Sequence, residues 1–144
     1  MANLASTFWN QGRWAEAEQL QVQVMETSKT KLGADHPDTL TSMANLASTY
    51  RNQGRFAEAE QLDVQVMETR KTKLGADHPD TLTSMNNLAF TWKAQGRDVE
   101  AIQLMSGCVH RRRRILGIKH PKFLSSNQTL ANWQSESTDS GGAN

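Results

Sequence analysis

The fifteen residues KTKLGADHPDTLTSM occupy Lys29–Met43 and return letter for letter at Lys71–Met85. Sliding the chain by 42 residues lays Met1 on Met43 and Ser42 on Ser84, and only five of those 42 positions differ: Phe8/Tyr50, Trp9/Arg51, Trp14/Phe56, Gln21/Asp63 and Ser28/Arg70. A third copy, Met85–Ser126, is more diverged but keeps Asn87, Leu88, Ala89, Gln95, Gly96, Arg97, Glu100, Ala101, Leu116, Gly117, His120 and Pro121. A fourth begins at Asn127 and fades after Trp133. Self-similarity at a fixed period restricts the chain to a stacked array, in which each unit buries its apolar face against its neighbours. The duplicated stretch is then the joint between units.

One unit reads as a helical hairpin. In DTLTSMANLASTYRNQ, Asp38–Gln53, the residues Leu40, Met43, Leu46, Ala47 and Tyr50 recur at spacings of three and four, the stripe of an amphipathic helix. Gly54 follows, where a helix C-terminus favours left-handed backbone. Phe56, Ala59, Leu62, Val66 and Met67 form a second stripe, with Glu58 and Glu60 early and Arg70, Lys71 and Lys73 late, the charge order that suits the helix dipole. Gly75 stops this helix. The joint ADHPD then supplies aspartates expected to cap the next helix and a proline near its start, where the missing N–H is harmless. Ala47 and Ala59, small and on facing stripes, allow the two helices to approach closely.

Period alone leaves HEAT, armadillo and stretched tetratricopeptide units open. The residues choose among them. Leu46, Ala47, Tyr50, Gly54, Phe56 and Ala59 stand at the spacing of the tetratricopeptide core, and NLA, QGR[WF]AEAEQL and LGADHPDTL within the long period resemble the kinesin light chain type of tetratricopeptide repeat. Similar multi-copy runs end many fungal and bacterial NTPase-type receptors. The resemblance covers Met1 to about Trp133. It implies an all-α, right-handed α-solenoid of tetratricopeptide-type helical hairpins with a 42-residue period. The units are expected at 1–42, 43–84 and 85–126, with a closing helix at about 121–134 and a disordered tail over 135–144. The third unit departs at Asp98, where Trp14 and Phe56 stand in the others, and looser packing is expected at that turn.

In such a solenoid the first helices line the concave face, and a protein or peptide is the expected partner. Off the buried stripe lie Asn3, Ser6 and Asn10, then Thr41, Asn45, Ser48 and Asn52, then Thr83, Asn87 and Phe90. The repeat aligns Asn3, Asn45 and Asn87. Asparagine carries both donor and acceptor, so such a row can hold the backbone of an extended peptide without dictating its side chains. The other function considered is a structural segment of a larger NTPase-type receptor that self-associates through its repeats.

Other chemistry finds little footing. Asp35, His36 and Asp38, like Asp77, His78 and Asp80, would suit a metal or acid–base pair, but a joint that caps one helix and starts the next accounts for them, the histidine packing the loop. Neither catalysis nor a metal or other cofactor is expected. Cys108 replaces Val24 and Val66 and reads as a small buried apolar residue. Charge is uneven: three basic against five acidic residues in 1–42, five against six in 43–84, and eight against two in 85–126. The basic unit contains Arg111, Arg112, Arg113 and Arg114 near the end of a second helix, expected as a solvated helix end or as contacts for an acidic partner. Successive helical positions point several ways rather than forming a stripe, so nucleic acid is not the expected ligand.

A hydrophobic content of 37% and mean hydropathy of −0.65 describe a polar chain with no apolar run near the roughly 18 residues of a membrane span. The first residues lack the pattern of a signal peptide, and the single cysteine agrees with a reducing cytoplasm. Met1 aligns with Met43, inside a first helix, so the chain is expected to start mid-helix, as a fragment of a longer array or at a true start. With Phe8, Trp9 and Trp14 short of a covering helix, homo-oligomers through this end are expected.

Overall fold

The computed structural model describes residues 14–142, with side chains described over 15–136. All regular structure among these residues is helical: α1 (Trp14–Leu32), α2 (Pro37–Asn52), α3 (Phe56–Leu74), α4 (Pro79–Ala94), α5 (Asp98–Leu116) and α6 (Pro121–Gly142). Long second helices of 19 residues alternate with first helices of 16 residues, as the two apolar stripes require. The chain divides into two compact units, Met1–Val66 and Met67–Asn144, the division falling inside α3. In the first, α1 packs on α2; in the second, α4 packs on α5 and α5 on α6.

The core follows the stripes. In the first unit Met25, Leu40, Met43, Leu46 and Val66 are buried together, with Val22, Tyr50 and Leu62 packed against them. In the second, Leu82, Met85 and Cys108 form one cluster with Met67 and Leu104. A larger one gathers Ala89, Ala101, Met105, Val109, Phe123, Leu130 and Trp133. Ala47, Ala59, Ala89 and Ala101 are fully buried, the small residues at which helices come close.

The hairpin turns have one geometry. Gly54 adopts φ +80°, and the Arg55 N–H returns to the Tyr50 carbonyl at 2.8 Å; Gly96 adopts φ +81°, and the Arg97 N–H returns to Trp92 at 2.9 Å. The Arg55 guanidinium lies 4.3 Å over the Tyr50 ring and pairs with Glu58 and Glu18; Arg97 lies 4.9 Å over Trp92 and pairs with Glu100. The looser third turn expected from Asp98 is therefore not found. Asp98 faces Lys93 at 3.4 Å, and the aromatic needed to seat the arginine precedes the glycine.

The joints correct a second expectation. The cap is the histidine, not the aspartate. His36 Nδ1 accepts the Asp38 N–H at 3.1 Å, His78 Nδ1 that of Asp80 at 3.0 Å, and His120 Nδ1 that of Lys122 at 3.1 Å. The proline sits in the first turn, as the sequence predicts. Asp38 and Asp80 fall inside the first turn, where their charge meets the helix dipole rather than an N–H. At the C-terminal end α6 runs to Gly142. No proline or glycine interrupts Lys122–Ser140, and Glu136 is held by Lys93 at 3.0 Å.

Candidate functional site

The first helices present what the stripe leaves over. On α2, Thr41, Asn45 and Asn52 are exposed and Ser48 is half-buried. On α4, Thr83 and Asn87 are half-buried, and Phe90 is exposed, its ring meeting Trp133 edge-on at 5.3 Å. Each set lies within its own unit, with the buried Leu46 and Ala47 or Leu88 and Ala89 on the other side of the helix. Asn3, Ser6 and Asn10, with Phe8, Trp9 and the side chain of Trp14, lie outside the described residues.

The sequence stripe does not reveal the buried polar links between helices. Asp63 is 3% exposed and accepts from Arg51 at 3.2 Å. These two residues replace Gln21 and Trp9 of the first copy, so a charged pair enters as a pair. Thr49 donates to Gln21. Arg70 donates to the Ser84 hydroxyl at 2.8 Å, and one repeat later Arg112 donates to Ser126, which also donates to Asn86 at 3.5 Å. Burial lowers the Arg70 pKa, opposed by the nearby Asp80. The Lys93 pKa is raised, first by its hydrogen bond to Glu136.

The arginine run is accordingly split. Arg112 is 6% exposed and faces inward, so it is not a surface contact for a partner. Arg111 Nε reaches Asp77 Oδ1 at 3.1 Å and Arg114 reaches Oδ2 at 2.7 Å, a carboxylate clasped from both sides. Arg113 is exposed. An open recess of about 630 Å³ lies over the clasp and Ser106, and another of about 330 Å³ is lined by His110, Arg113, Arg114, Gly117 and Ile118. Cys108 is fully buried; its thiol donates to the Leu82 carbonyl at 3.3 Å, and burial pushes its pKa up. Among the described residues, no cluster of three or more His, Cys, Asp or Glu side chains could hold a metal ion, and no helix is long and apolar enough to cross a membrane.

A tetratricopeptide repeat family model matches residues 1–38, 39–80 and 81–122. Its second and third matches open at Thr39 and Thr81, two residues inside α2 and α4. No curated protein matches the chain. Among solved structures, the nearly identical TPR-like repeats of a kinesin light chain-type protein from Podosopora anserina align with a TM-score of 0.82 at 32% identity, over 91% of this chain and 62% of that one. A point variant of that protein gives the same figures. BtubC (BKLC) from P. vanneervenii aligns with a TM-score of 0.81 at 17% identity, over 94% of this chain and 54% of that one, a likeness of fold alone. The chain thus spans less than two thirds of either neighbour's length. Three family matches at the period of the sequence repeat place the chain in the tetratricopeptide-repeat family, in its kinesin light chain-like form.

Proposed function

We propose that this chain is a protein-interaction scaffold that holds an extended peptide on the exposed faces of its first helices, without catalysis. The observation that carries the reading is that each first helix leaves the same repeat positions polar and off its buried stripe: Thr41, Asn45 and Asn52 on α2, and Thr83 and Asn87 on α4. Tetratricopeptide repeats generally mediate protein–protein interaction, and asparagines suit backbone capture. A cytoplasmic setting goes with the reading, where Cys108 stays reduced. The test is to pan a random peptide library against the chain and measure the selected peptide by fluorescence polarisation against Asn45→Ala/Asn87→Ala. Affinity should fall about tenfold, the loss of one to two net hydrogen bonds, with melting unchanged. Unchanged affinity in a variant that melts much lower would make the row structural.

A second reading rests on the near-identity of the first two copies, since one copy's surface fits its twin: a structural segment of a larger NTPase-type receptor, self-associating through the repeats. Light scattering across protein concentrations, on wild type and Trp9→Arg, tests it. Association relieved by Trp9→Arg, which copies Arg51, supports it; a wild type monomeric throughout refutes it.

A further inference from the structure

We propose that the end of α5 and the α5–α6 joint form a second docking surface, which takes an acidic peptide segment of a partner protein. The surface is basic and exposed: His110, Arg113, Arg114, Lys119 and Lys122 stand on it, and Arg113, Lys119 and Lys122 make no ion pair among the described residues. It is also partly apolar. Ile118 is 58% exposed beside the smaller recess, and Ile115 is 41% exposed.

Three observations point to carboxylates as what it binds. The first is that this part of the chain already grips one. Asp77 is held through both oxygens, one by Arg111 and the other by Arg114, each a charge-assisted hydrogen bond. The aligned residues one repeat earlier are Thr69 and Thr72, so the clasp is particular to the third copy. The second is a reversal of sign at constant backbone. The first two joints read ADHPD and the third reads IKHPK, yet Gly33, Gly75 and Gly117 adopt φ +101°, +100° and +92°, and each histidine caps alike. The third is that the reversal works against local stability. Lys122 stands in the first turn of α6, where α2 and α4 carry Asp38 and Asp80, and a cation there opposes the helix dipole. Folding of the joint does not explain that lysine; a negatively charged visitor does.

An acidic peptide fits better than nucleic acid or lipid. The arginine run offers no continuous track for phosphates, since Arg112 points inward and Arg111 is spent on Asp77. The exposed apolar groups are aliphatic, and none is an aromatic on which a base would stack. They flank an open recess rather than forming the broad apolar face that enters a bilayer.

The test uses the full chain and a labelled peptide alternating leucine with glutamate, read by fluorescence polarisation at low and high salt. One variant rewrites the third joint as the first two are written: Ile118→Ala, Lys119→Asp, Lys122→Asp. That sequence already folds twice in this chain, and circular dichroism confirms the helices. Arg113→Glu is a second variant outside the joint. The wild type should bind, more weakly as salt rises, and each variant should lose about tenfold or more in affinity. The proposal is overturned if the wild type does not bind the peptide, if both folded variants bind it equally well, or if the wild type prefers oligodeoxythymidine or phosphatidylserine vesicles. Asn45→Ala/Asn87→Ala should leave this binding unchanged, which separates it from capture on the first helices.

Discussion

Removing the histidine caps tests the most distinctive local feature of the joints. Each imidazole satisfies one otherwise orphaned N–H at a helix start, at 3.0–3.1 Å. Loss of such a cap costs about 1 kcal/mol, within a range of roughly 0.5–2 kcal/mol. The three caps lie 42 residues apart and share no partner, so their effects should add to about 3 kcal/mol. Unfolding entropy of about 2.1 cal/mol/K per residue over 144 residues comes to about 0.3 kcal/mol/K. His36→Ala/His78→Ala/His120→Ala should therefore melt about 10 °C below wild type, followed by circular dichroism at the helical band. Asparagine is a strong cap, so the triple His→Asn variant should recover most of the loss. A triple alanine variant melting within about 3 °C of wild type, one cap's worth, would refute the assignment. So would an asparagine variant that recovers nothing.

Two further outcomes are expected. Thr39 donates to the Gly33 carbonyl at 2.8 Å, whereas its repeat-mate Thr81 is buried with its hydroxyl unpaired; Thr39→Val should cost about 1 kcal/mol in urea unfolding, while Thr81→Val should be neutral or stabilising. Equal losses would contradict the difference. Cys108, buried and with its pKa raised chiefly by burial against the pull of Arg112 and Arg111, should react with a disulfide-exchange reagent only as denaturant opens the second unit. Rapid native labelling would show that the core around Leu82 and Met85 opens readily.

The period, the glycines and the first-helix stripe carry most of the fold in legible form. Leu40, Met43, Leu46 and Ala47 are buried where spacing puts them, and Gly54 and Gly75 take the positive φ that ends a helix. The second stripe is less legible, because Asp63 interrupts it with a charge that is buried only by virtue of Arg51, twelve residues away. The signal was present as a paired replacement of Trp9 and Gln21. Arg112 was concealed by its run: four like residues look equivalent until Ser126 selects one. The histidine caps are hidden in the sequence because aspartate is the commoner capping residue and stands on both sides of the first two HP pairs. On the first helices, the sequence separates the exposed side chains from the buried stripe, but a row of polar residues carries no mark of its ligand.

The Asp77 clasp gives an otherwise monotonous chain a direction under load. Pulled from its ends, a hairpin of 42 residues releases about 14–15 nm of contour, and two copies that differ at five positions yield steps of the same length. Length alone cannot say which copy has opened. Two solvent-facing ion pairs, worth together up to about 1–2 kcal/mol, fasten the second joint to α5 and bias the order of rupture roughly tenfold. High salt screens such pairs and should blur that order without changing the step. One aspartate and two arginines thereby give the second joint a salt-sensitive fastening that the aligned Thr69 and Thr72 do not offer.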